Sequence, residues 1–233
     1  MSPPATLIPC TPHDLPLLAK IESTVFLHDP FAIVAFGPKK DTAENLALRT
    51  KGLLKTLKPQ QGKRTKYVKA VLGGVVVGWS SWSFVDVGEG VVKGGAEGEG
   101  DGEGEGKGEE KEEDVGWGIS ANIEFLQDVF IKGDEMMMKS TDSKPYAKLN
   151  ALVILPPYQR RGIGTLLLSE GLKEVDALGL QCVLGASPEG YGLYERYGFK
   201  EVGMMELKLW EYEGGEGLGE TRHGVMRRAP QGV

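Results

Sequence analysis

A glycine-containing turn at residues 159–165 carries the clearest chemical signal of this 233-residue chain. Its sequence is Gln159-Arg160-Arg161-Gly162-Ile163-Gly164-Thr165, between an apolar stretch and an amphipathic one. A helix N-terminus offers unpaired backbone N–H groups and a partial positive charge, so it favours phosphate. Gly162 and Gly164 lack the side chains that would hold a pyrophosphate away from those amides. Arg160 and Arg161 add positive charge, so the turn predicts a pyrophosphate site at the start of a helix.

Other phosphate-binding loops fit this turn less well. A dinucleotide fingerprint requires a third glycine at position 167, which is Leu167. A Walker loop requires Gly-Lys followed by Ser or Thr, which the turn lacks. The alternative to a binding site is a plain turn between a buried strand and its helix, with both arginines on the surface.

The segments around the turn alternate between strand and helix patterns. The predicted elements are a strand at Leu149–Leu155, a helix at Gly162–Leu178 stopped by Gly179, a strand at Gln181–Ser187, a short helix at Glu189–Tyr197, a strand at Lys200–Tyr212 and an antiparallel return at Arg222–Arg228. This alternation predicts a three-layer α/β/α domain around a mixed sheet.

The N-terminal half supplies further elements of the same domain. The patterns predict a strand at Ala5–Pro9, a helix from Thr11 or Asp14 to Phe26, a second helix over Thr42–Leu57 with Asp41 at the cap, a hairpin of Tyr67–Leu72 and Val75–Phe84 turning at Gly73-Gly74, and a helix at Ala121–Met138 outside the main sheet. Met136, Met137 and Met138 are interpreted as contact-filling side chains.

A low-complexity segment at residues 88–114 interrupts this pattern. It contains ten glycines, 11 acidic residues and 3 lysines, which leaves 22 acidic against 24 basic residues in the rest of the chain. Such a composition cannot bury enough surface to offset the entropy of ordering. We therefore expect one domain over residues 1–233, with a disordered acidic insertion at 88–114.

The composition excludes several classes of protein. No apolar run approaches the roughly 20 residues of a membrane helix, and no basic excess outside the acidic segment suggests nucleic acid. The two cysteines, Cys10 and Cys182, form neither a disulfide framework nor a metal site. We expect no metal, no membrane, no nucleic acid, and a cytoplasmic location with a nuclear one left open.

Two motifs in the right order resemble the GNAT superfamily of N-acetyltransferases. The first, Gln159 to Gly164, matches the family motif Q/R-x-x-G-x-G/A. The second ends in Leu193-Tyr194, three residues and Gly198-Phe199, as in the family's second signature. The resemblance covers Leu149–Val202 in detail and implies a mostly antiparallel sheet that splays where acetyl-coenzyme A binds.

The resemblance also implies roles for individual residues. Backbone groups of Leu152, Val153 and Ile154 would hold the pantetheine arm, and the amides from Arg160 to Thr165 the pyrophosphate. Acetyl would pass directly from the thioester to an amine, with Tyr194 as general acid for the departing thiolate. Packing beside Tyr191 is the alternative role for Tyr194, and Tyr191 and Tyr197 are interpreted as packing residues.

The sequence departs from the family at the general base. Some members carry a glutamate early on the strand before the turn, where this chain has Lys148-Leu149-Asn150. A water-mediated base, a residue from the first helices, or an amine that arrives neutral remain open. His13, His28 and His223 are candidates by residue type, and His28 is favoured. Ser187 stands where many relatives carry an asparagine.

The resemblance implies that the first helices form one wall of the site that binds the acceptor amine, called the acceptor wall below. The residues expected there are Glu22, Phe26, His28, Asp29 and Phe31. The two carboxylates would suit a small-molecule or peptide amine. A non-catalytic coenzyme A-binding module is the second functional hypothesis, and a docking role for the acidic segment is the third. The oligomeric state is left open.

Overall fold

A computed structural model describes residues 5–58, 60–85 and 118–231. Seven strands form one sheet in the order β1-β2-β3-β4-β5-β7-β6. The strands are β1 Thr6–Pro9, β2 Lys63–Leu72, β3 Val75–Val85, β4 Tyr146–Ile154, β5 Gln181–Ala186, β6 Lys200–Lys208 and β7 Glu220–Arg228. β4 and β5 pair in parallel, and the other neighbours pair antiparallel. The fold class predicted from the sequence is confirmed.

Helices cover both faces of the sheet. They are α1 Leu15–Val25, α2 Pro30–Phe36, α3 Ala43–Leu57, α4 Ile123–Leu126, α5 Lys132–Ser140, α6 Ile163–Ala177 and α7 Pro188–Arg196, with a π-helical segment, Gln127–Ile131, joining α4 to α5. α6 and α7 cover one face, and the helices that precede β4 cover the other. In the described ranges no helix is long and apolar enough to cross a membrane.

Local chemistry explains where the first helices begin. A reciprocal capping box of Thr11 and Asp14 closes a 3-10 turn, and α1 follows at Leu15. Thr42, rather than the predicted Asp41, caps α3, because its hydroxyl accepts the amide of Asn45. No sequence pattern predicted α2, which begins at Pro30 after an Asp29 cap whose carboxylate accepts the amide of Ala32 at 2.7 Å.

The core under α6 fixes the position of that helix on the sheet. Trp82 of β3 is fully buried there, and its indole N–H donates to Ser80 Oγ at 3.2 Å. A Cβ built at Gly171 would lie 2.0 Å from the Trp82 ring, so only glycine lets α6 approach this closely. The start of α6 is therefore held at a defined height above β3 and β4.

The structure tests the predicted hairpin and the predicted packing of the methionines, whereas the acidic segment lies outside the described residues. The hairpin turns at Gly73 and Gly74, both with positive φ, as predicted. Met136 and Met137 pack with Val183 and Val225, which confirms their role as contact-filling residues, whereas Met138 is exposed and the prediction was wrong for it. The acidic insertion predicted at 88–114 lies outside the described residues, so the domain boundaries stay a prediction.

Candidate functional site

A gap opens between β4 and β5 at one end of the sheet. The strands pair from Tyr146–Gln181 to Leu149–Leu184 and no further. Beyond that level β4 remains bonded to β3 as far as Ile154, and β5 remains bonded to β7 as far as Ala186. The backbone groups of residues 151–154 that point away from β3 therefore have no neighbouring strand. This gap is the splay expected from the sequence.

A β-bulge lies where the gap begins. Ser81 pairs with Ala151 and Trp82 pairs with Leu149, so Asn150 is the extra residue of β4. A bulge bends its strand and increases the local twist. The Asn150 amide donates to Ser83 Oγ at 2.9 Å and more weakly to Ser81 Oγ at 3.3 Å. These bonds fix the bulge on β3 while β4 turns away from β5.

The predicted phosphate turn joins the open end of β4 to α6. Gln159 donates its side-chain amide to the Ile154 carbonyl at 3.0 Å, so this side chain closes the strand end. Arg160 has φ 59° and Gly162 has φ 81°, both left-handed. An L-residue in this conformation costs roughly 1–2 kcal/mol. The turn is thus held in an uncommon backbone shape that aims the chain into α6.

The first amides of α6 are open to a ligand. The helix begins at Ile163, and Gly162 gives it no capping side chain. The amides of Ile163, Gly164 and Thr165 precede the first intrahelical donor, Leu166, which donates to Gly162 O at 2.9 Å. A Cβ at Gly162 would meet nothing within 4 Å. No described protein atom therefore crowds the Gly162 position at the helix start.

The two arginines of the turn are exposed. The Arg161 guanidinium lies 5.5 Å from the centre of the Tyr158 ring, and neither arginine forms an ion pair with the described residues. Both remain available to an anion.

Among the strand residues expected to face the coenzyme, Val153 is buried toward α1 and α3, whereas Leu152 and Ile154 pack toward α6.

Tyr194 lies in the core beneath the gap. Only 7% of the residue is exposed, and its ring packs edge-on against Phe199 with centroids 5.9 Å apart. Its hydroxyl has no hydrogen-bond partner in the part of the chain that the structure describes, although this oxygen is not fully shielded. Burial, with a smaller effect of Cys182, raises the pKa of the phenol well above its usual range. Tyr194 is therefore protonated at neutral pH.

The neighbouring tyrosines have structural partners. Tyr191 donates its hydroxyl to Glu201 Oε2 at 2.7 Å, and the Tyr197 hydroxyl lies 2.8 Å from Ser169 Oγ. Tyr194 differs from both because its hydroxyl has no such partner among the residues that the structure describes.

The two cysteines are poor nucleophiles. Burial is the main cause that raises the pKa of Cys10 and of Cys182 to about 12. A thiol is nucleophilic only as thiolate. These thiols therefore remain protonated at neutral pH.

The five residues expected at the acceptor wall point to different parts of the fold. Glu22 forms a two-pronged ion pair with Arg49 of α3, at 2.6 and 2.9 Å. Phe26 packs in the core under α1 and α3, and His28 is exposed. Asp29 and Phe31, at the start of α2, face the other way, toward β7.

His223 of β7 contacts α2 through Phe31. Among the three histidines considered as a general base, the sequence favoured His28 over His223. The ring centre of His223 lies 4.4 Å from that of Phe31. Nδ1 is buried without a hydrogen-bond partner among the described residues, whereas Nε2 is not shielded in this way. Burial lowers the pKa of His223, and the nearby Asp29 and Glu189 carboxylates oppose that shift. Nothing in the local sequence around residue 223 indicates this environment.

Two of the cavities among the described residues adjoin strands β2 to β4. The smaller, about 120 Å³, adjoins the bulge at Asn150 and contains the Lys148–Asp134 ion pair, whose atoms are 2.5 Å apart. The larger, about 490 Å³, lies beside Pro145 and Leu180, where β4 and β5 begin. The larger cavity is at the opposite end of the sheet from the Gly162 turn, so we do not assign it to the site.

The open strand gap and the uncapped helix start define a class: proteins with an acetyltransferase fold of the GNAT type. Residues 137–208 match the acetyltransferase (GNAT) domain family. Over these residues the match confirms the resemblance that the two motifs carry, and the fold of the described residues is that of GNAT acetyltransferases.

Solved structures share this fold at low sequence identity. A mosquito arylalkylamine N-acetyltransferase like 5b aligns with a TM-score of 0.58 at 14% identity, covering 96% of this chain and 99% of that one. The "histone acetyltransferase HPA2 and related acetyltransferase" of Corynebacterium glutamicum gives 0.56 at 18%, covering 100% and 99%. The ribosomal-protein-S18-alanine N-acetyltransferase of Escherichia coli gives 0.53 at 14%, covering 98% and 96%. A comparison with curated protein sequences gave no match.

Proposed function

We propose that this chain is an N-acetyltransferase that moves an acetyl group from acetyl-coenzyme A directly to a primary amine. The observation that carries the proposal is the gap between β4 and β5, which ends at the uncapped start of α6. An elongated thioester with a diphosphate at one end matches both features. The arm fits between parted strands, and the diphosphate fits a helix N-terminus.

The phosphate end binds at the Gly162 turn. The amides from Arg160 to Thr165 point their hydrogens at the pyrophosphate, and the helix dipole adds roughly 0.3–1 kcal/mol per anionic group. Arg160 and Arg161 supply charge from the rim, where both are exposed. Gln159 contributes through its backbone, since its side chain is bonded to Ile154 O.

The pantetheine arm lies along the unpaired edge of β4. Its amide groups replace the missing strand by bonding to backbone groups of Leu152, Val153 and Ile154. The bulge at Asn150 turns this edge toward the gap, and the pairing of Gly78 with Ile154 keeps it attached to β3. The thioester then comes to rest near the level at which the strands separate.

Acetyl transfer requires a neutral amine, polarisation of the carbonyl and a proton for the leaving thiolate. Tyr194 supplies that proton, because burial keeps its phenol protonated and its hydroxyl has no bond to the described residues. The amine attacks the thioester carbonyl carbon, and the C–S bond breaks as the C–N bond forms. No covalent enzyme intermediate is required.

The acceptor is a small-molecule or peptide amine that approaches from the α2 side. Asp29 and Phe31 are the predicted acceptor residues that lie near His223 of β7. Glu22 is neutralised by Arg49, so Asp29 is the better partner for an ammonium group. The solved structures of this fold include one named as arylalkylamine N-acetyltransferase-like and one named as a ribosomal-protein-S18-alanine N-acetyltransferase, and both names support an amine acceptor.

A thiol-release assay across amines tests the proposal. The panel contains arylalkylamines, polyamines, amino acids and short peptides with free N-termini, each with acetyl-coenzyme A. We expect release above the hydrolysis background with one class, and an acetylated product by mass spectrometry. Binding of acetyl-coenzyme A without turnover on any amine would instead support the non-catalytic coenzyme-binding module. That second function is favoured by the absence of a carboxylate at Lys148, Leu149 and Asn150.

A further inference from the structure

His223 lies beside the open end of the gap. β7 pairs with β5 from Cys182–Arg228 to Ala186–Gly224, so His223 is one residue beyond the last pair. The gap begins at Leu184, which pairs with Met226, and His223 lies three residues before Met226 on β7. The Leu149–Leu184 pair is the floor of the gap, the level at which β4 and β5 separate. At about 3.4 Å per residue, His223 lies roughly 10 Å beyond that level, on the strand next to β5.

The side chain of His223 faces the acceptor side of the sheet. Met226, at an odd spacing from His223, belongs to the core under α6 and α7. Alternation along β7 therefore turns His223 and Val225 toward the other face. Val225 packs there with Met137 of α5, and His223 packs there against Phe31 of α2. Tyr194 lies on the α6 and α7 face, so the two side chains approach the gap from opposite faces of the sheet.

The surroundings keep the imidazole neutral and one of its nitrogens accessible. Nδ1 is buried, and Nε2 is the less shielded nitrogen. The charged groups that act on the ring are Asp29 from α2 and Glu189 from α7, while its partner on β6 is Met205. Burial lowers the pKa of His223 more than the two carboxylates raise it. A neutral imidazole can accept a proton, and the carboxylates stabilise the imidazolium that results.

We propose that His223 is the general base that deprotonates the acceptor ammonium, an inference that rests on the proposed N-acetyltransferase function. The ammonium nitrogen gives one proton to Nε2 and keeps its electron pair, which forms the C–N bond to the thioester carbonyl carbon. The C–S bond breaks, and the sulfur takes the Tyr194 proton. The remaining extra proton on the amide nitrogen returns through water to the phenolate, and the imidazolium releases its proton to water.

This assignment accounts for the missing carboxylate on β4. Lys148 points into an ion pair with Asp134, and Asn150 is bonded to Ser81 and Ser83, so neither position accepts a proton. Asp29 acts on His223 as a positioning residue. Its Oδ1 accepts the Ala32 amide, which fixes the carboxylate at the start of α2, and its negative charge favours the protonated form of the His223 ring.

The test uses His223→Gln, with His13→Gln as matched control, on the full chain. The chain has three histidines, and His13 is exposed in the turn before α1. With the best acceptor from the amine panel, we expect His223→Gln to lower kcat at pH 7 by roughly 10²–10⁴-fold and to leave the Kd of acetyl-coenzyme A within about twofold. The wild-type kcat should rise with a midpoint below the ordinary histidine pKa of about 6.5. In the variant it should rise only as the amine itself loses its proton.

Several outcomes distinguish this proposal from the proposed function. Equal kcat and equal pH profiles for His223→Gln and His13→Gln would overturn the base assignment alone. Coenzyme binding without turnover of any amine by the wild type would overturn the function, and the base with it. Should His223→Gln fold poorly, His223→Asn with added imidazole gives the same information, since recovery of turnover supports a missing base and none contradicts it.

The imidazole resonances provide a readout that does not depend on turnover. The signal that disappears in His223→Gln belongs to His223. We expect it to titrate below about 6.5, and to broaden or shift when the acceptor amine is added to the coenzyme complex. A titration at or above the His13 value, with no response to the amine, would contradict the proposal.

Discussion

Leu149 of β4 and Leu184 of β5 form the last pair between these parallel strands, and both are buried in the core under α6. Beyond them the two strands follow different neighbours, β3 on one side and β7 on the other. Because a packed core supports the floor of the gap, the gap is a fixed feature of the fold rather than a frayed sheet end. The chemistry proposed above depends on that fixed geometry.

The contact between Gly171 and Trp82 should control the position of α6. Gly171→Ala places a methyl group 2.0 Å from a fully buried ring, so the helix or the indole must move. We expect a loss of about 1–3 kcal/mol in the free energy of unfolding, measured by urea denaturation, and weaker coenzyme binding as the helix start shifts.

Gly52→Ala is the matched control for that change. Gly52 lies inside α3, and a Cβ there would meet nothing within 4 Å. Alanine in the middle of a helix stabilises by roughly 0.5–1 kcal/mol relative to glycine. If Gly171→Ala behaved like Gly52→Ala, the close packing of α6 on Trp82 would be wrong.

Arg228 joins β7 to α6 and to the end of α7. Its guanidinium contacts both carboxylate oxygens of Asp176, at 2.5 and 3.0 Å, and donates to Tyr197 O at 2.9 Å. Only 9% of the arginine side chain is exposed. Arg228→Ala should lower the free energy of unfolding by about 2–3 kcal/mol, because charged hydrogen bonds are lost and Asp176 is left unpaired.

The exposed pair of Lys173 and Glu170 gives the comparison for Arg228. These side chains lie one helical turn apart on α6, 3.0 Å from each other. Lys173→Ala should change stability by less than about 0.5 kcal/mol. Thermal melts that show the same small effect for both variants would contradict the structural role of Arg228.

Tyr194→Phe should lower kcat by roughly 10²–10⁴-fold at saturating substrates, since the thiolate loses its proton donor. The affinity for acetyl-coenzyme A should be nearly unchanged. Because burial raises the pKa of the phenol, the wild-type rate should show no loss below about pH 10 from this group. Steady-state kinetics against pH measures both effects.

Tyr197→Phe is the control for the role of Tyr194. It removes the hydroxyl that bonds Ser169, so stability should fall by about 1 kcal/mol while kcat is retained. Weaker coenzyme binding by Tyr194→Phe with normal turnover at saturation would show that Tyr194 binds rather than donates a proton.

The pH dependence of stability should contain a contribution from His223. Its folded pKa is lowered, so the unfolded chain binds more protons near and below the ordinary value of about 6.5. The contribution of neutral His223 to the free energy of unfolding is therefore fully present above the ordinary histidine pKa. It is lost as the pH falls from that value toward the lower pKa of the folded protein. Urea denaturation from pH 5 to 8 should therefore show a shallower acid slope for His223→Gln than for the wild type.

The elements predicted with most success from the sequence are those whose signals are local. The hairpin at Gly73-Gly74, the helix start at Thr11 or Asp14, and the stop at Gly179 each depend on a few adjacent residues. α2 was missed because its seven residues are apolar throughout and show no helical periodicity. A short apolar run has no preferred face until tertiary packing supplies one.

Within the candidate site, too, the sequence predicted the local features and did not predict the contacts between distant parts of the chain. The Gly162 turn joins neighbouring elements, so its motif predicts its geometry. The meeting of Phe31 with His223 depends on the insertion of β7 between β5 and β6, which brings distant parts of the chain together. No spacing in the sequence encodes that strand order, so the interpretation of His28 as the favoured histidine had no geometric basis.

Calorimetric titration of acetyl-coenzyme A into the wild type, Gly162→Glu and Gly179→Glu tests the central claim most directly. Gly162 and Gly179 both have positive φ, 81° and 62°, and a Cβ at either position meets nothing within 4 Å. The two variants therefore carry similar backbone strain, and circular dichroism should show both folded. We predict binding to the wild type and to Gly179→Glu, and none to Gly162→Glu, whose carboxylate would occupy the phosphate position. Absence of heat with well-folded wild type, or equal affinity of all three proteins, would contradict the account.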